Sequence, residues 1–197
     1  GGGSKLKFFA GGFQVGPESV GSEPGPACYR KGGELAVTDA NVVLGRVLPE
    51  YFPKIFGPDE NEPLDRVASV AKFEQLRDEI NAWFREREIE NINSNSSSSH
   101  IDLSTEEVAL GFLRVANEAM CRPIREITES KGFETSKHIL SAFGGAGPQH
   151  ACAVAKALGI RSVKVHKYSG ILSAFGMGLA DVVREKQTAC FAAYSKE

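Results

Sequence analysis

An α/β fold is predicted from three features of the 197-residue sequence. Apolar and polar residues alternate over Lys5–Phe9 and Phe13–Val15 on either side of Gly11-Gly12, the pattern of a β-hairpin. Two long stretches, from Asp65 and from Ser104, repeat their apolar residues at helical spacing. Near the C-terminal end, an apolar run, a glycine turn, an alanine-rich helix and a second apolar run follow one another as strand, turn, helix and strand. Composition agrees: 42% hydrophobic residues, 12 of them Phe, are enough for a sizeable core in one domain. The net charge of -2 leaves no electrostatic footprint for nucleic acid or an anionic membrane. No apolar stretch approaches the ~20 residues of a membrane span, and no secretory signal opens the sequence. Cys28, Cys121, Cys152 and Cys190 lack metal-ligand spacing, so no metal site is expected and reduced thiols in a cytoplasmic protein account for them.

After the hairpin, residues 16–33 carry too many glycines and prolines for regular structure and suit the lining of a cleft. Cys28 lies in this segment, either as a functional thiol or as a small buried hydrophobe. Asp39 reads as the N-cap of a helix over Ala40–Leu48. In the helix from Asp65, Val67, Val70, Phe73, Leu76, Ile80, Trp83 and Phe84 form a core stripe. Residues 89–101 are a low-complexity Asn/Ser tract, expected as a flexible surface loop because it cannot bury enough apolar area to offset the entropy of ordering. Ser104-Thr-Glu-Glu107 is a capping box that opens a helix with Val108, Phe112, Val115, Ala119 and Ile124 turned inward. Pro123 is expected to interrupt that helix and display Arg122 and Arg125 at the bend, as an anion clamp or as ordinary surface ion pairs.

Ile139–Phe143 reads as a buried strand, and His150–Leu158 as a helix closed by Gly159 at C′. Between them stand Gly144, Gly145, Ala146 and Gly147. Glycines at a strand-to-helix turn let a phosphate or nucleotide approach the backbone, and the helix N-terminus favours an anion. The same turn also serves to pack a helix closely on a sheet. His150, in the first turn of that helix, is either within reach of such a ligand or a packing residue. Ser162–His166 is the next strand, Leu172–Val183 a small-residue helix, and Thr188–Phe191 a last strand. Asp39 and Asn41 stand out as polar residues at a helix start beside the glycine-proline loop, for capping or for orienting a substrate or water. No Ser-His-Asp, metal or paired-carboxylate spacing names a catalytic set.

Several long segments carry a resemblance: Val15–Gly33, Val37–Arg46, Tyr51–Pro58, Ala116–Arg125, the glycine turn, and His166–Asp181. Together they resemble the hydantoinase A/5-oxoprolinase family, and within it the eukaryotic ATP-dependent branch. The resemblance implies ATP-driven opening of the 5-oxo-L-proline lactam to L-glutamate, a step in glutathione turnover, with Mg2+ beside the nucleotide. A lactam is a stable amide, and phosphorylating its oxygen turns a poor electrophile into one that water attacks. An ATP-dependent hydantoinase or related carboxylase subunit, and a non-catalytic nucleotide-binding lobe, are the alternatives.

The resemblance further implies a partial actin-like (ribonuclease H-like) ATPase lobe, a mixed sheet with flanking helices. Residues 1–197 would be a fragment of the second lobe, inactive alone, from a homo-oligomeric enzyme several times longer. The first phosphate hairpin and the first strand of the sheet would lie upstream. Gly2, Gly3 and Ser4 would end the second phosphate hairpin, unless they are an appended Gly-Ser linker. Gly144, Gly145, Ala146 and Gly147 would be the adenosine-side turn, with Asp39 and Asn41 as catalytic candidates.

Overall fold

The computed structural model describes residues 2–92 and 102–192, the side chains of 88–92 excepted. The hairpin forms as expected: β1 (Ser4–Phe9) pairs antiparallel with β2 (Gly12–Ser19), with Leu6 opposite Val15 and Phe8 opposite Phe13. Ala10 (φ 49°) and Gly11 (φ 83°) both take positive φ, which gives a two-residue turn the twist of its strands. Trp83 packs over Gly11 so closely that a side chain there would collide with the indole.

Behind the hairpin lie α1 (Val37–Val43), α2 (Arg66–Ile92) and α3 (Thr105–Glu129). Their shared core contains Leu6, Val37, Ala40, Phe73, Ile80, Val108, Phe112 and Leu113, all buried. Phe13 meets Phe112 edge-on at 4.8 Å between ring centroids, tying the hairpin to α3. Val67 of the expected α2 stripe is exposed, so the buried stripe begins a turn later. Residues 89–92 of the expected loop at 89–101 are helical instead, because α2 continues to Ile92; residues 93–101 lie outside the described residues.

Ser104 caps α3 as predicted: its hydroxyl accepts from the Glu107 N–H, and the Glu107 carboxylate accepts from the Ser104 N–H at 2.7 Å. Pro123 does not interrupt α3, which runs on to Glu129. Proline removes one N–H, and the carbonyl it would have bonded belongs to Ala119, an exposed residue that water can serve. The buried face is also rotated from the expected one, with Leu113, Ala116 and Cys121 inward and Ala119 outward.

β3 (Ile139–Ala142) and β4 (Ser162–Val165) pair in parallel, joined by α4 (Gly147–Ala157). α4 ends in a Schellman motif: Gly159 N–H bonds Lys156 C=O, Ile160 N–H bonds Ala155 C=O, and Gly159 has φ +69°. Val154, Ala155, Leu158 and Ile160 bury against Cys121 of α3. α5 (Leu172–Leu179) is shorter than expected. The strand expected at Thr188–Phe191 is not formed, since no neighbouring strand offers it a ladder.

The molecule is thus mixed α/β, but the expected single mixed sheet is not found among the described residues. The strands form two separate pairs, β1-β2 and β3-β4. β1 turns its other edge to the chain after the glycine-proline loop, where Leu6 N–H bonds Leu35 C=O at 2.9 Å and Lys5 bridges Ala36. β3 is correspondingly open, and Ile139 and Phe143, expected to be buried, are exposed.

Candidate nucleotide-binding site

The two glycine segments singled out in the sequence come together. The Gly2 carbonyl accepts from the Thr38 N–H at 2.9 Å and the Thr38 hydroxyl at 3.0 Å. A Cβ on Gly2 would stand 2.7 Å from Thr38 Oγ1 and 3.5 Å from the Ala146 methyl. Gly2 therefore sits between α1 and the start of α4, and a side chain there would touch Ala146 and displace the Thr38 hydroxyl that bonds the Gly2 carbonyl. Gly3 is tied down as well, its carbonyl accepting from Val20 N–H at 2.9 Å. Ser4 begins β1 opposite Ser19.

At the other segment, the parallel strands β3 and β4 both run into the same crevice. It has a volume of about 300 Å³ and is lined by Phe143, Gly144 and residues 169–174. Ligands of parallel α/β sheets sit outside the carboxyl ends of the strands, which is where this crevice lies. A Cβ at Gly144, Gly145 or Gly147 would meet nothing within 4 Å, so the turn presents bare backbone to open space. The Gly144 amide is already engaged by the Ser169 carbonyl at 2.8 Å, which fixes the turn against the loop after β4.

Asp39 and Asn41 are both buried on α1. The helix starts at Val37 and ends at Val43, so Asp39 is its third residue rather than its N-cap, and the expected extension to Leu48 is absent. The Asp39 carboxylate accepts from the N–H groups of Ala27, Cys28 and Ala36 at 3.1, 2.8 and 2.9 Å and from the Ser69 hydroxyl at 2.7 Å. Four donors meet the four lone-pair directions of the carboxylate. Burial and the adjacent Asp39 charge push the Cys28 thiol far above the usual thiol range, so it stays protonated and unreactive. Asn41 is the reverse case: neither atom of its buried carboxamide has a hydrogen-bond partner.

Arg125 pairs with Glu118 and donates to the Ala157 carbonyl at 3.3 Å, closing the C-terminal end of α4. Arg122 is exposed. Among the described residues no three His, Cys, Asp or Glu side chains stand together as a metal cluster. Three residues at this site were not singled out as partners from sequence. Thr38 holds Gly2, Ser69 completes the Asp39 cage, and Asn117 bonds His150, its Oδ1 lying 2.9 Å from His150 Nδ1. Each pair is separated by 30 residues or more, and no local pattern marks it.

In this mixed α/β protein, glycine segments meet at a helix start and bare backbone stands at the ends of parallel strands, a kind of arrangement that in general suits anionic ligands. The chain belongs to the hydantoinase/oxoprolinase family, whose profile matches residues 1–186. It is 58% identical over all 197 of its residues to 5-oxoprolinase 1 of Arabidopsis thaliana, of which it spans 15%. Two solved structures share the fold. The nucleotide-free structure of acetone carboxylase, from a study of ATP-dependent acetone carboxylation, matches with TM-score 0.70 at 25% identity over 92% of this chain and 22% of that one. The ATP-dependent caprolactamase of Pseudomonas jessenii matches with TM-score 0.69 at 30% identity, over 92% of this chain and 23% of that one.

Proposed function

We propose that this chain is part of an ATP-dependent 5-oxoprolinase and forms one lobe, actin-like in design, of its nucleotide site. The observation that carries this reading is the placing of Gly2 between Thr38 and Ala146, which sets two side-chain-free backbone segments against one helix start. The reaction consumes 5-oxo-L-proline, ATP and two waters and releases L-glutamate, ADP and phosphate. When bound, ATP supplies the phosphoryl group that activates the lactam. This chain's own contribution is positioning. Gly2, Gly3 and Ser4 line the phosphate side, and Gly144, Gly145, Ala146 and Gly147 the adenosine side. Asp39 braces the glycine-proline loop, and the Asn41 carboxamide is the group left to orient a substrate amide or water. Arg122 is the free member of the proposed anion clamp. Mg2+ belongs with the ATP of the whole enzyme. The one buried carboxylate among the described residues, Asp39, is saturated by its four donors, so no step is routed through the ion on this chain.

The full-length protein is read as a cytoplasmic homo-oligomer acting on a small molecule. The net charge of -2 and the absence, among the described residues, of any helix long and apolar enough to cross a membrane are compatible with that reading. The test is ADP release by the purified full-length protein with 5-oxo-L-proline, hydantoin or caprolactam. Release dependent on 5-oxo-L-proline is expected, with none from the 197-residue chain alone. Release dependent only on hydantoin or caprolactam would move the activity to those relatives' chemistry, and ATP-independent hydrolysis would remove the nucleotide from the reading.

A further inference from the structure

His150 stands at the fourth position of α4, roughly 5 Å along the axis from the helix start at Gly147. It is 2% exposed, and its Nε2 has no hydrogen-bond partner. A polar atom left this way is costly unless something meets it. The other ring nitrogen settles what that something must be. Nδ1 lies 2.9 Å from Asn117 Oδ1, and an amide oxygen only accepts, so Nδ1 carries the proton and Nε2 presents a lone pair. Burial, helped by the positive charge of Arg46, pulls the His150 pKa below its ordinary value, which keeps the ring neutral near pH 7. His150 also lines a cavity of about 180 Å³ that reaches the glycine turn at Phe143 and Gly147 and is otherwise mostly apolar.

A lone pair selects a donor. A phosphate at neutral pH presents acceptor oxygens, so it does not satisfy Nε2, although it suits the bare backbone at Gly2 and Gly3. In a nucleoside triphosphate the donors are the sugar hydroxyls, next to the phosphates, and the base amine, at the far end of the molecule. With the phosphates toward Gly2–Ser4, which lie beside Ala146, and the adenosine at the glycine turn, the sugar that joins the two is the part that lies beside the first turn of α4. We infer that His150 Nε2 accepts a hydrogen bond from a ribose hydroxyl of the bound nucleoside triphosphate, with Asn117 as the positioning residue that fixes the tautomer. The inference rests on the nucleotide-site reading above.

Dissociation constants of ATP, 2′-deoxy-ATP and 3′-deoxy-ATP on the full-length protein test it by calorimetry. Wild type is expected to prefer ATP to one of the deoxy analogues by about tenfold or more. His150→Phe, which keeps a ring but no acceptor, is expected to weaken ATP to the level of that analogue and bring the ratio near one. Asn117→Leu lowers the ratio too, because the freed ring can turn its proton toward the sugar. Equal wild-type affinities overturn the inference without any variant, as does a preference that survives in folded His150→Phe. If the three nucleotides bind alike, only the sugar contact is lost. If none binds, the nucleotide site itself is refuted.

Discussion

The body built from the hairpin and α1–α3 and the segment from β3 onward contain similar kinds of residues but bury them very differently. In the body, Phe73, Ile80, Val108, Phe112 and Leu113 are fully enclosed. In the other region burial is confined to α4 and its C-terminal turn, where Val154, Ala155, Leu158 and Ile160 pack with Cys121, and Leu140 and Val163 are only partly covered. α5 has no buried residue although its sequence is Leu-Ser-Ala-Phe-Gly-Met-Gly-Leu, and Val182 and Phe191 are 94% and 99% exposed. A helix apolar on most faces is ordinarily an interior element. The difference teaches that the body is held by a closed apolar core, whereas the glycine turn is held to it mainly by the packing of α4 on α3 and by the approach of Ala146 to Gly2.

The largest expected effect breaks the body. Phe112 touches both Phe13 and Phe73 and closes the centre of the core. Phe112→Ala should cost about 3–5 kcal/mol, read as a lower urea midpoint at unchanged slope. A loss under about 1 kcal/mol would mean that the hairpin and α3 are not packed on one another in solution.

What was legible in the sequence follows the same division. The hairpin, the Ser104 capping box and the Gly159 terminus were readable because their partners lie within a few residues and the turn chemistry is local. The strand expected at Thr188–Phe191 and the burial expected for Ile139 failed for a different reason. Among the described residues the first has no neighbouring strand, and Ile139, although paired with Ser162 of β4, has no element packed over it; a β-pattern alone supplies neither. Asp39 was noticed for its residue type and neighbours, but its cage draws on Ala27, Cys28 and Ser69, none of them within ten residues. The glycine turn at Gly144–Gly147 was legible from its residues, and the resemblance added the segment Gly2–Ser4. That Thr38 and Ala146 bring them together was legible only in the structure.

Asp39 offers a smaller break that separates architecture from chemistry. Asp39→Asn retains the shape but puts an NH₂ group where two donors now point, leaving buried N–H groups unpaired. The expected cost is about 2–3 kcal/mol, with the turnover of the folded full-length enzyme nearly unchanged. Full stability with lost turnover would reverse that assignment and make the carboxylate catalytic.

The smallest effect is expected at α5, and it sharpens the comparison from the exposed side. Met177 is 75% exposed, so Met177→Ser removes a large apolar side chain without opening a cavity. The substitution should change the stability of the 197-residue chain by no more than about 0.5 kcal/mol. Phe112→Ala likewise shortens an apolar side chain, so the gap between the two costs isolates burial from residue type. Both are measured by urea titration at two protein concentrations. A cost above about 1 kcal/mol for Met177→Ser that grows with concentration would show α5 buried between copies of the chain. A cost of that size independent of concentration would show α5 packed on its own body instead.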